Sequence, residues 1–128
     1  MFIKQLYTGC LSEAAYYIES NNEAAIIDPL RDIDPYLELA NKRKAKIKYI
    51  FETHFHADFV SGHLDLGKST GVPVIYGPKT ETKLPVHIAN DGERFQLGKL
   101  IIEVLHTPGH TLESSCYLLK DQNGKDHC

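Results

Sequence analysis

Glu52-Thr53-His54-Phe55-His56-Ala57-Asp58-Phe59-Val60-Ser61-Gly62 is the stretch on which the fold turns. It follows an apolar run, Ile47 to Phe51, whose length and β-branched start suit a buried strand. His54 and His56 lie two positions apart. In extended backbone, side chains at i and i+2 point to the same side. Both imidazoles then reach one ion at the roughly 2.0–2.1 Å of a zinc–nitrogen bond. Asp58 continues the alternation if the backbone stays extended. There it ligates, or orients a ligand or a bound water. A lone histidine on a strand end is most often a solvated polar residue. Three metal-competent groups on one face would leave polar atoms in need of partners. The run therefore predicts a metal site.

A second motif follows another apolar strand: Thr107-Pro108-Gly109-His110-Thr111. Proline and glycine fix a tight loop that aims one imidazole with little freedom left to lose. By itself this is a weak signal, since a histidine in a turn is usually just solvated. Its weight comes from pairing with the first motif. His54, His56 and His110 are thus the expected metal-binding side chains, with Asp58 as the catalytic carboxylate. His63 in a predicted helix, His87 in an unassigned segment and His127 at the chain end are expected to be structural or solvated. His106 precedes the second motif and is expected to be structural.

Working outward, Phe2 to Tyr7 and Ala14 to Ile18 read as strands. Asn21-Asn22 turns the chain into a return strand, Ala24 to Ile27, which Asp28-Pro29 ends. Asp34-Pro35 resembles a helix N-cap followed by proline at the first helical position. The basic cluster Lys42-Arg43-Lys44, with Lys46, suits the solvated C-terminal end of that helix. Ser61 is placed to cap a second helix, Gly62 to Thr70, stopped by Gly71. Val72 to Tyr76 is a short strand, and Lys79 to Ile88 carries no clear pattern. Asn90-Asp91-Gly92 is a turn. Arg94 to Leu97 and Lys99 to Leu105 form a hairpin across Gly98, and Ser114 to Leu119 is the last strand. This order fits an α/β (α+β) layered sandwich better than an all-β barrel.

With 42% hydrophobic and 24% charged residues over 128 positions, the chain has the composition of an ordered domain rather than a disordered segment. A net charge of −3 argues against broad attraction to nucleic acid. Nowhere is an apolar run long enough to cross a bilayer, and the first twenty residues lack a signal-peptide pattern. Cys10, Cys116 and Cys128 are few, odd in number and widely spaced. A disulfide framework is not expected, and a cytoplasmic setting is.

Together, the run from Glu52 to Gly62 and the later Thr107-Pro108-Gly109-His110-Thr111 resemble the metallo-β-lactamase superfamily over nearly the whole chain. The resemblance implies an αββα sandwich with the metal site at one edge of two sheets. The usual run there is His-x-His-x-Asp-His, but here the last position is Phe59, which has no donor atom. The resemblance then implies one metal ion rather than two. The wording His54-Phe55-His56-Ala57-Asp58-Phe59-Val60-Ser61-Gly62 looks most like the persulfide dioxygenase branch. That branch is similar to glyoxalase II and uses one iron, Fe(II). It implies that a low-molecular-weight thiol persulfide and oxygen give sulfite and the thiol. Two histidines and one carboxylate on one face leave open positions for both reactants. By analogy His54 and His110 carry over as ligands, His56 lies within or near the same shell, and Asp58 stands behind it.

The alternative expectation is a zinc-dependent thioester hydrolase of the glyoxalase II type. The resemblance implies a metal-binding Thr-Gly-Asp segment, which is expected beyond Cys128. Residues 1–128 are therefore expected to be one C-terminally truncated domain, the first half to two-thirds of the sandwich. The expected partner is a small-molecule persulfide or thioester, not nucleic acid or membrane. Without the later half, an exposed apolar sheet face and an open strand edge are expected, and self-association with them. For the isolated chain, an inactive fold fragment without its metal is a third expectation.

Overall fold

The computed structural model describes residues 1–9 and 13–128, so Cys10 lies outside the described residues. The elements run β1 (Phe2–Thr8), β2 (Glu13–Ser20), β3 (Glu23–Ile27), α1 (Asp34–Arg43), β4 (Lys46–Phe51), α2 (His63–Thr70), β5 (Val74–Tyr76), β6 (His87–Ile88), β7 (Arg94–Leu97), β8 (Leu100–His106) and β9 (Ser115–Asp121). Strands β1 to β6 lie side by side in chain order in one sheet, and β7, β8 and β9 form a second.

The turn between β2 and β3 places both Asn21 and Asn22 at positive φ (52° and 63°), as a tight hairpin twisted with its strands requires. From β3 onward the pairing becomes parallel, β3 to β4 across α1 and β4 to β5 across α2. Tyr36 and Ala40 of α1 and Leu66 of α2 bury against Tyr17, Ile26, Ile50 and Tyr76 on one sheet face. The opposite face presents Ile18, Ala25, Ile27, Phe51 and Ile75 to Leu97, Leu100, Ile102, Val104 and Leu119 of the second sheet. Phe51 lies at the centre of this interface, 4.8 Å from the Tyr117 ring and 5.4 Å from that of Phe95. The result is one helical layer on two sheets. The second helical layer of the expected αββα sandwich is not among the described residues.

Several sequence expectations need correction. Asp34 is not the cap of α1: Ile33 holds that position, and Asp34 is the first helical residue. The aspartate two places earlier does the local work, since Asp32 Oδ1 accepts the Asp34 N–H at 3.2 Å. Gly62, not Ser61, is the N-cap of α2. The Ser61 hydroxyl, one place earlier, still accepts the N–H of His63, the first helical residue, at 3.3 Å, and it donates to Glu52 Oε1 at 2.7 Å. Arg43 is more than a solvated helix end. It grips Glu19 through Nε at 2.6 Å and Nη2 at 3.1 Å, and lies 3.6 Å from the centre of the Phe2 ring. The segment after Pro78 is mostly loop and contributes only the two residues of β6. Finally, the first sheet does not lack a cover. Strands β7 to β9 already pack on its middle, and the uncovered apolar surface lies at the β1–β2 end. There a cavity of about 310 Å³ is lined by Ile3, Ile18, Ile27, Tyr117 and Leu119.

Candidate metal centre

The carboxyl ends of the parallel strands β3, β4 and β5 gather at one edge of the first sheet. In open α/β sheets this edge is where ligands bind. β3 delivers Asp28 there, and β4 delivers Glu52 and the histidine run. The loop after β8 brings His110 to the same place. Two bonds stitch that loop to the end of β4: the Ser115 N–H donates to Thr53 O at 2.9 Å, and the Phe55 N–H donates to Glu113 Oε1 at 3.0 Å.

The three predicted imidazoles come together. The His54 ring centre is 4.2 Å from that of His56 and 4.9 Å from that of His110. With Asp28, Thr53, Asp58 and Phe59 they line a cavity of about 580 Å³. The route differs from simple strand alternation. β4 ends at Phe51, and the backbone bends at Thr53–His54 and again over Ala57–Phe59. Asp58 reaches the cavity wall as an exposed side chain and not as the next tooth of a pleat.

Asp28 organises two of the three rings, although the sequence shows it only as a strand terminator. Its φ is +50°, an unusual conformation for a residue with a side chain. Bonds to Thr53 offset that strain, with Oδ1 accepting the N–H at 2.7 Å and Oδ2 the hydroxyl at 2.8 Å. Because the Thr53 hydroxyl proton goes to Asp28, its oxygen accepts from Nδ1–H of His54, 2.8 Å away. His56 Nε2–H in turn donates to Asp28 Oδ1 at 3.0 Å. This assignment follows from the donor inventory, and it leaves a lone pair on Nε2 of His54 and on Nδ1 of His56. Burial foremost, then the field of His56, holds the His54 pKa below its ordinary value, which favours the neutral ring that a metal needs.

A second constellation sits behind the first. Asp28, Glu52 and His56 offer three donor atoms within 4.8 Å of one another. Burial, reinforced by Asp28, pushes the Glu52 carboxyl well up in pKa. A neutral acid is a poor partner for a cation, and Asp28 is already engaged with Thr53 and His56. The donor chemistry therefore fits an ion better in front of the three imidazoles. Glu13, also buried on the cavity wall, is pushed up to about 7, by burial first and by Asp28 next. The remaining histidines have other work. His106 Nε2 donates to Leu112 O at 2.8 Å, and His87 pairs with Glu93 at 2.6 Å. His63 is buried at the start of α2 with both ring nitrogens unpartnered, its Nδ1 3.6 Å from Glu52. Asp28, Glu13, Glu52 and Glu113 carried no signal in the sequence beyond adjacency to a motif or a strand end.

The metallo-β-lactamase superfamily model matches residues 8–124. The chain belongs to this superfamily. Among curated superfamily members it is 33% identical over 123 residues to a probable hydroxyacylglutathione hydrolase of Schizosaccharomyces pombe, covering 92% of the chain and 48% of that protein. Among solved metallo-β-lactamase folds it matches a metallo-beta-lactamase from Staphylococcus aureus with a TM-score of 0.87 at 34% identity, covering 99% of the chain and 40% of that one. It also matches ETHE1 from Myxococcus xanthus with a TM-score of 0.84 at 30% identity, covering 93% and 54%. The chain thus spans about half the length of the curated superfamily relatives it matches. No helix among the described residues is long and apolar enough to cross a membrane.

Proposed function

We propose that His54, His56 and His110 hold one metal ion, and that the whole protein uses it to hydrolyse a small-molecule thioester to a carboxylic acid and a thiol. The observation that carries this reading is the convergence of the three rings on one cavity, with Asp28 fixing the tautomers of two of them. The similarity to hydroxyacylglutathione hydrolases supports the substrate class. A zinc-type ion there would supply an activated water with its pKa lowered to about 7, whereas an iron ion would add redox chemistry toward oxygen. The residues of this chain hold the His54 ring toward its neutral form, set Phe55 and Phe59 beside the rings on the cavity wall, and present Asp58 there as a proton acceptor.

One observation favours a second reading, the iron-dependent persulfide dioxygenase. The Phe59 ring lies tilted against His56, with the ring centres 4.3 Å apart, at the position that holds a histidine in two-metal relatives. An apolar ring there favours a single ion. Thiol release from a glutathione thioester without oxygen uptake supports the hydrolase. Oxygen uptake with glutathione persulfide, and no thioester cleavage, overturns it in favour of the dioxygenase. A cytoplasmic setting, with few cysteines, and self-association through the uncovered β1–β2 end belong to the same proposal. A sedimentation profile that stays monomeric at high concentration contradicts the self-association.

A further inference from the structure

Glu113 is buried, 8% exposed, yet no lysine or arginine pairs with it among the described residues. Its Oε1 accepts the backbone N–H of Phe55, the residue between His54 and His56. Next to it, Ser114 Oγ accepts the Thr111 N–H at 3.0 Å and lies 2.7 Å from the Thr111 hydroxyl, so the residue after His110 is tied to the neighbour of Glu113. Around it the turn is tight. Ser115 Oγ donates to Glu113 O at 3.1 Å, and a Cβ on Gly77 would come within 2.8 Å of the same carbonyl. No hydrogen bond among the described residues holds the His110 ring itself. Its position relative to the other two rings therefore depends on what ties the Thr107–Thr111 loop to the end of β4.

We propose that Glu113 is a positioning residue that clamps the His54–His56 segment to the His110 loop and so sets the spacing of the three imidazoles. Only a carboxylate or amide oxygen at the end of this side chain reaches the Phe55 amide from the far loop. The link to Thr53 through Ser115 fixes the strand end but lies before the histidines; Thr53 and Asp28 hold the rings of His54 and His56, and Glu113 holds the backbone between them to the far loop. Burial raises the carboxyl's pKa, but with the Phe55 N–H bond foremost among the opposing causes the net shift is below its ordinary value, which keeps it an acceptor. The inference rests on the three-histidine reading for its consequence, but the clamp itself is separately measurable.

Two isosteric variants test it: Glu113→Met removes the acceptor and Glu113→Gln keeps one. Amide hydrogen exchange reads the clamp in the metal-free chain. Faster exchange at Phe55 in E113M, with β8 and β9 still protected and E113Q unchanged, supports it. Unchanged exchange at Phe55 in E113M, or an equal loss in E113Q, overturns it. Zinc affinity by chelator competition then reads the consequence, with E113M expected to bind about 10–100-fold more weakly and E113Q to match the wild type. Wild-type zinc affinity in E113M overturns the positioning role. A whole protein that takes no zinc, with Phe55 behaving as stated, retains the clamp and removes the three-histidine reading.

Discussion

Asp28 carries more of the site than any residue except the histidines. One carboxylate accepts from Thr53 and from His56, and through Thr53 it sets the tautomer of His54. Replacing it with asparagine puts an amide N–H where an acceptor is needed, either at His56 or at Thr53. D28N is expected to weaken zinc binding by about 10–100-fold in a competition assay. Unchanged affinity would show that the tautomers are set elsewhere. Phe59 invites the opposite experiment. F59H in the full-length protein is expected to raise the metal content measured by elemental analysis, since it restores a donor beside Asp58. Content that stays at the wild-type level counts against the single-ion argument. At this scale the histidines were legible because a motif carries them along the chain. Asp28 and Glu113 were not, because their partners lie 25 and 58 positions away and exist only after folding.

Among the elements, β4 and α1 show what pattern does and does not fix. β4 was legible as an apolar run with a β-branched start, but its end was not. The bends after Phe51 follow from Asp28 and Glu113 capturing the amides of Thr53 and Phe55, which no local pattern announces. α1 was legible through Asp34-Pro35 and its basic end, while the service of Arg43 to β2 was hidden. The hydrogen bond from Arg43 foremost, with the Tyr17 hydroxyl adding and burial opposing, holds the Glu19 carboxyl below its ordinary 4.5. A carboxylate depressed in the folded state stabilises fully above its unfolded pKa, and that stabilisation fades as pH falls through the folded value. E19Q is therefore expected to lower stability at neutral pH by about 1.5 kcal/mol, the lower end for hydrogen bonds to charged groups because Arg43 is partly solvated. Urea midpoints of wild type and E19Q should converge as pH drops below 4.5. A gap that persists at low pH contradicts the assignment.

At the scale of the whole molecule, the site depends on two sheets meeting over Phe51. Its ring touches those of Phe95 and Tyr117, and the Tyr117 hydroxyl donates to Glu52 O at 2.6 Å, directly beside the histidine run. F51A is expected to cost about 3–5 kcal/mol in chemical denaturation, through lost burial and the cavity left behind. A loss under about 1 kcal/mol would mean that the interface repacks with ease. The layered architecture was legible from the order of elements. The cover that β7 to β9 give the first sheet was not, because the packing of one sheet's side chains on another has no periodicity to read along the chain.

A single ion held by imidazoles 54, 56 and 110 is the central proposal. Metal titration of the wild-type chain beside H54A, H56A and H110A, with cobalt as the spectroscopic probe, tests this most directly. One cobalt ion per chain with imidazole ligation, lost or much weakened in all three variants, is the predicted result. An ion that binds undiminished in H54A and H110A but vanishes in H56A would place it instead among Asp28, Glu52 and His56, and would contradict the account.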